Sequence, residues 1–240
     1  TGCGDCVEVC PVEVYNRLDA GIGVRKAIYK AHPQVVPNVV IRDKEHCIDC
    51  GLCYDICGKQ AVLRDSEDAE EELVIKAGTI VIATGYDVFD ARKKTPYKYL
   101  SIPDVITSLE LERIINASGP TGGKVKRISD GQPPKEIVFI QCVGSRDLPL
   151  GCPSCSAVCC MYAIKNAMLI KEKNPDTRVT ILYMDIRAYG KGYEEYYARA
   201  EQLGVRFIRG MPGDIYAQDG TIIVQVENSE TKDVLKIHAD

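Results

Sequence analysis

The chain has 240 residues, 45 % hydrophobic and 27 % charged, with a formal net charge of −4. That size and balance suit one large or two small packed domains, and the mild negative charge gives no electrostatic case for nucleic acid. No apolar run nears the ~20 residues of a membrane span, and twelve cysteines in a chain without secreted character argue for metal ligands rather than disulfides, in a reducing, anoxic cytoplasm.

Taken in order, the chain opens on Cys3, Cys6, Cys10 and Pro11, spaced x2, x3, Pro. After 36 residues comes Cys47, Cys50, Cys53 and Cys57, spaced x2, x2, x3. Three thiolates on a tight loop hold three irons of a 4Fe–4S cubane, and the fourth cysteine serves a different cluster. Cys10 therefore belongs with Cys47, Cys50 and Cys53, and Cys57 with Cys3 and Cys6. The last set lacks one ligand, expected immediately before Thr1, and with no initiator Met the chain reads as part of a longer protein. Zinc and disulfides fit the spacing less well. Gly58 stands where a proline usually follows the fourth cysteine, and the long insertion touches neither ligand loop. His32, His46 and His238 read as loop or surface residues, not ligands.

Residues 1–64 form this ferredoxin-like domain, with short helices and strands expected near 11–15 and 61–63. The insert is extended by Pro33 and Pro37 and runs into a strand over 39–41. Residues 65–72 carry six acids in eight positions and read as a solvated turn rather than a docking patch. A hairpin is expected over 73–76 and 79–83, split by Gly78. It ends on Ala83, Thr84 and Gly85, whose small side chains let backbone approach a ligand closely, though a plain turn fits as well. A helix is expected over 102–117 with Ile106, Leu109, Ile114 and Ile115 as its apolar stripe. Residues 118–135 read as a linker. Their Gly119 to Lys124 run is one residue short of a phosphate loop, and Val125 replaces the Ser or Thr.

From residue 136 the pattern alternates: a strand over 137–142, a helix over 156–173, a strand over 178–184, a helix over 193–203 closed by Gly204, and a strand over 205–208. This is βαβαβ, half of a doubly wound sheet, followed by a hairpin over 214–217 and 222–227 and an extra strand over 234–238. Such a unit normally opens with G-x-G-x-x-G. Here that fingerprint is missing, and Cys142, Cys152, Cys155, Cys159 and Cys160 crowd the turn. Cys142 ends a strand. Cys155 and Cys159, four apart, share a helix face, near a helix N-terminus that favours anions. A third 4Fe–4S cluster on Cys142, Cys155, Cys159 and Cys160 accounts for four of the five. The alternatives are a redox disulfide between Cys152 and Cys155 and a set of buried structural thiols.

These motifs together resemble the flavin-containing A subunit of heterodisulfide reductase from methanogens and related anaerobes. The matching runs include Asp43 to Cys53, Ile82 to Tyr86, Ser118 to Gly123, Gln141 to Arg146, Cys152 to Cys160 and Met184 to Glu195. The resemblance implies a mixed α/β and α+β protein: a two-cluster ferredoxin-like domain (1–64) inserted into a thioredoxin-reductase-like flavoprotein fold with two dinucleotide-binding domains. Part of its FAD domain returns over 65–134, and a pyridine-nucleotide-domain-like βαβ unit follows over 135–240. It implies FAD with its main site upstream, Ala83, Thr84 and Gly85 at the returning edge, and Lys165 and Glu112 near the flavin, with an ordinary helix-surface charge as the bland reading of both. It also implies the third cluster on the C-x12-C-x3-C-C pattern, leaving Cys152 spare. The implied activity is electron transfer and flavin-based bifurcation between a two-electron donor, disulfide-reducing subunits and ferredoxin. Disulfide reduction itself then lies on a partner subunit, and no catalytic nucleophile is expected here. Implied partners are the other heterodisulfide reductase subunits, a hydrogenase or formate dehydrogenase input subunit, and ferredoxin. A flavin-free iron–sulfur relay between partners is the main competing function.

Overall fold

The computed structural model describes residues 2–64 and 72–240. It divides into two compact units, Thr1–Val88 and Phe89–Asp240. The acidic run expected as a turn lies, apart from Glu72, outside the described residues.

The first unit is small and built in two similar halves. Each half carries a one-turn helix, α1 (Asp5–Glu8) and α2 (Leu52–Asp55). Each helix follows a glycine at positive φ, Gly4 at 102° and Gly51 at 82°. A side chain there would be strained, so glycine is what lets the chain double back between two cysteines. Two antiparallel pairs complete the unit. β1 (Glu13–Asn16) pairs with β2 (Gly23–Lys26), and β3 (Ile28–Tyr29) with β4 (Ile41–Arg42). The strand expected over 39–41 is therefore reduced to Ile41 and moved onto Arg42, and residues 61–63 form no helix or strand.

The expected hairpin over 73–83 does not form. Residues 72–88 contain no strand, and Val74, Ile80, Val81 and Ile82 are all more than four-fifths exposed. β-branched runs favour a pleated, half-buried surface rather than an extended backbone as such, and none of the described strands pairs with these.

The second unit is layered. β5 (Glu136–Ile140), β6 (Arg178–Tyr183) and β7 (Arg206–Arg209) form a parallel sheet in that order, with Ile137 opposite Val179 and Ile181 opposite Phe207. On one face Phe139, Val179 and Ile181 pack against Ala163, Ile164 and Ala167 of α4 (Cys159–Lys173) and Ala200 of α5 (Tyr193–Gln202). On the other, Leu182 and Ile208 pack against Ile215, Val224 and Ile237 of an antiparallel meander, β8 (Pro212–Gln218), β9 (Thr221–Glu227) and β10 (Val234–Ala239). The expected hairpin and extra strand are thus one three-stranded sheet. The βαβαβ alternation is present as expected.

α3 (Ser108–Ile115) is shorter than the helix expected over 102–117 and starts on a capping box. The Thr107 hydroxyl accepts from the Glu110 N–H, and the Glu110 carboxylate accepts from the Thr107 N–H. Its apolar stripe is rotated from expectation. Leu111 is buried with Ile114 and Ile115, while Leu109 is half-exposed. Residues 118–135 are irregular but anchored rather than loose. Val125 is buried, the Thr121 hydroxyl donates to Ile114 O, and Lys173 Nζ donates to Gly123 O. No described helix is long and apolar enough to cross a membrane.

Candidate functional site

In the first unit, Cys10 comes from the end of the first ligand loop, while Cys47, Cys50 and Cys53 come from the second. All four line one cavity, closed by Val12, Ala27, Ile28, Arg42 and Tyr54. Cys53 feels the nearby Cys47 and Cys50, and burial first, then those neighbours, push its thiol pKa up. Cys6 is buried and interacts with Cys3, Cys53 and Cys57. Its thiol is likewise pushed up by burial and by those charges. Cys57 is shifted the other way, because the Ala61 and Lys59 N–H groups donate to its sulfur, Ala61 N at 3.3 Å. Cys10 thus shares a cavity with the three cysteines of the second loop, while Cys6 stands near Cys3, Cys53 and Cys57.

The residues fit a cubane better than a single ion. Among the described residues, no three cysteine sulfurs lie within 4.8 Å of one another. One tetrahedral zinc draws its sulfurs to about 3.8 Å apart. The set whose ligand atoms do lie within 4.8 Å of one another is Asp43, Glu45 and His46, and its geometry has another cause. Asp43 accepts from Arg25 Nη2 at 2.6 Å, contacts His46 Nδ1 at 3.0 Å and accepts from the Glu45 N–H at 3.1 Å. Its own carbonyl accepts from the Cys47 N–H at 2.9 Å. This knot fixes the entry to the second ligand loop. His46 is part of it through its Nδ1 contact with Asp43.

In the second unit, Cys142 follows β5 at a left-handed φ of 58°, which turns the chain toward α4. Cys159 and Cys160 occupy the first turn of α4, and both are buried, as is Cys142. Cys159 stands beside Cys142 and Cys160, and these neighbours favour its ionised form, while Cys142 and Cys160 are pushed up by Cys159 and by burial. A helix N-terminus adds to that preference for a central thiolate.

Cys155 differs from expectation. It is not in the helix, which begins only at Cys159 because Ala157 sits at φ 63°. Cys155 instead lies in a loop pinned by Ser145, whose hydroxyl donates to Ser154 O at 3.0 Å and accepts from the Ser156 N–H at 2.9 Å. It stands in the neighbourhood of Cys160 and Arg146, both of which feel its charge. Cys152 forms the base of this loop through paired backbone hydrogen bonds with Asp147, and its thiol donates to Leu150 O.

An open crevice of about 410 Å³ adjoins Cys142 at the C-terminal ends of β5 and β6, lined also by Lys94, Arg146, Asp147, Met184 and Met211. This is where open α/β sheets take ligands. Two cations there escaped the sequence reading. Arg146 donates to Asp185 at 2.5 Å and stands near Cys142 and Cys155, and Lys94 donates to the buried Asp147 at 2.5 Å. In the first unit Arg42 was missed in the same way. The signal for Arg146 was its place in the Gln141 to Arg146 run.

Lys165 and Glu112 are salt-bridged to each other between α4 and α3. Ala83, Thr84 and Gly85 lie in the exposed segment of the first unit, with Gly85 at φ 73°.

Residues 1–62 match the family model of a 4Fe-4S dicluster domain. The chain is 55 % identical over 231 residues (95 % of its length) to the A subunit of the H(2):CoB-CoM heterodisulfide,ferredoxin reductase of Methanothermobacter thermautotrophicus, covering 35 % of that protein. It is 54 % identical over 243 residues to the iron-sulfur A subunit of the CoB--CoM heterodisulfide reductase of Methanocaldococcus jannaschii, covering 37 %. It is 55 % identical over 243 residues to the A subunit of the H(2)/formate:CoB-CoM heterodisulfide,ferredoxin reductase of Methanococcus maripaludis, also covering 37 %. The chain thus spans about a third of the length of the curated relatives it matches. By sequence it is a relative of the A subunits of the CoB–CoM heterodisulfide reductases and corresponds to about a third of such a polypeptide.

Proposed function

We propose that these residues form the electron-carrying part of the A subunit in a heterodisulfide reductase-type complex of the cytoplasm, an oxidoreductase acting on sulfur groups. Cys10, Cys47, Cys50 and Cys53 hold one 4Fe–4S cluster. Cys3, Cys6 and Cys57 supply three ligands to a second, and Cys142, Cys155, Cys159 and Cys160 hold a third. The observation that carries this reading is the cavity in the first unit that gathers four cysteines from two distant loops.

When bound, the clusters supply one-electron transfer, and FAD supplies the conversion between two-electron and one-electron steps. The chain's own contribution is placement and tuning. Buried thiols and backbone N–H donors, such as Ala61 on Cys57, stabilise thiolate ligands and bias a cluster's potential. Desolvation by the surrounding apolar residues keeps those electrostatic effects strong. Relatives named for H(2), formate and ferredoxin support a hydrogenase or formate dehydrogenase input, ferredoxin as a partner, and bifurcation between ferredoxin and the disulfide-reducing subunits. In this reading the second unit belongs to a thioredoxin-reductase-like fold whose main FAD site is upstream, with Ala83 to Gly85 at its returning edge and Lys165 and Glu112 near the flavin. The sheet between helices and a meander supports it.

Iron analysis and spectroscopy of the full-length protein, purified anaerobically, test the proposal. We expect about 12 Fe per chain from this region, together with a flavin spectrum. About 8 Fe would remove the third site. Full iron without flavin would favour the simpler relay between partners.

A further inference from the structure

We propose that Arg42 raises the reduction potential of the cluster on Cys10, Cys47, Cys50 and Cys53 by holding its guanidinium beside the Cys47 sulfur. The inference rests on the ligand assignment above and goes beyond it to a positioning residue outside the cysteine motif. Arg42 closes β4, where it pairs with Ile28 of β3. Its side chain is only 10 % exposed and lines the same cavity as the four cysteines. A surface arginine would turn outward to water. This one is turned in to the cavity that Cys47 lines, and the Cys47 sulfur and the guanidinium meet on the same Asp49 carboxylate.

Its orientation is fixed from the other side. Arg42 Nη1 donates to Asp49 Oδ1 at 3.0 Å, and the Cys47 sulfur lies 3.7 Å from the same oxygen. Asp49 sits between Cys47 and Cys50 at a left-handed φ of 51°. The carboxylate is 74 % exposed and the guanidinium is not. Water therefore screens the acid far more than the cation, and the net field on the cavity is positive. A one-electron reduction adds one negative charge to a cluster. A guanidinium stays protonated throughout, so it favours the reduced state without moving a proton, acting through local charge.

The test is an EPR-monitored redox titration with dithionite on the full-length protein, with iron measured alongside. At the wild-type midpoint of this cluster, Arg42→Gln should lower the reduced-to-oxidised ratio about tenfold, equivalent to about 59 mV for one electron, with iron content unchanged. Arg42→Lys keeps the charge but loses the planar fork, and should lower the ratio about threefold. An unchanged midpoint in a fully loaded Arg42→Gln overturns the proposal. Should that variant fail to hold iron, Arg42→Lys decides: a lowered ratio supports the role, and an unchanged one overturns it. Cys50→Ala separates the two possible failures. If the titrated signal survives Cys50→Ala, the ligand assignment is wrong and the role of Arg42 falls with it. If the signal is lost there yet Arg42→Gln leaves the midpoint in place, only the role of Arg42 is wrong.

Discussion

Lys165 of α4 donates to Glu112 of α3, Nζ to Oε1, at 2.5 Å. The resemblance singled out the two residues separately as flavin neighbours, and the fold makes them partners. Both side chains are about a third exposed, so solvent screens the pair and its worth to folding is below about 1 kcal/mol. Lys165→Met and Glu112→Gln should each leave the thermal unfolding midpoint of the chain within a few degrees of wild type. In the full-length protein the same variants should alter the flavin's reduction potential. A large loss of stability with normal flavin properties would make the pair purely structural.

The third thiol group makes a sharper prediction. Cys142→Ser and Cys159→Ser should each lower the iron of the full-length protein by about 4 per chain and remove one EPR component. Cys152→Ser should leave iron unchanged, since the Cys152 sulfur faces Leu150 O and its structural part is played by backbone atoms. Equal iron in Cys142→Ser and wild type would show that these thiols are structural.

Tyr97 links alkaline pH to the second unit. Burial pushes its phenol up to about 12 from an ordinary value of 10.0, and its hydroxyl donates to Pro212 O on β8 at 3.2 Å. The folded state holds the proton more tightly than the unfolded chain. The stabilisation is therefore complete below pH 10 and is lost as pH rises toward 12. The full linkage is on the order of 2–3 kcal/mol. Denaturant unfolding of the reduced chain between pH 9 and 12 should show this decline. Tyr97→Phe should cost about 1 kcal/mol at neutral pH from the lost hydrogen bond and should flatten the decline. Tyr99 and Tyr197 are also pushed up to about 12, so the comparison with Tyr97→Phe is what isolates this residue.

Gly144 packs where no side chain fits. A Cβ there would stand 2.0 Å from the Phe89 ring, and the backbone φ is 68°. Gly144→Ala should destabilise the second unit by about 1–3 kcal/mol and disturb the neighbouring Cys142. Gly213→Ala, where a Cβ meets nothing within 4 Å, is the matching control and should be near neutral. Calorimetry on the two variants checks both.

How much of this was legible depended on whether the cause was local. The βαβαβ alternation was readable because the strands are short runs with apolar centres, most plainly Val179 to Leu182, which is buried on both faces. Cys159 and Cys160 were readable because strand end and helix start are adjacent in such units. The start of α4 was not. Ser156 looks like a cap, yet its N–H is taken by the Ser145 hydroxyl eleven residues earlier, and Ala157 turns left-handed. The phase of α3 was misjudged because Leu109 and Leu111 are equally apolar, and only the packing against α4 decides between them. The run 79–83 has strong strand propensity but no described partner strand, which no local pattern reveals. Arg42 lies outside the cysteine motif, and its approach to Cys47 depends on the pairing of β3 with β4.

In the proposed ligand assignment Cys10 crosses to the second loop and Cys57 to the first, which has a consequence for assembly. Each loop completes the other's cradle, so neither can mature ahead of its counterpart. Iron loading of the first unit should accordingly be concerted, with half-filled species rare. A lesion in one loop, even at its helix-opening glycine, should empty both cradles together.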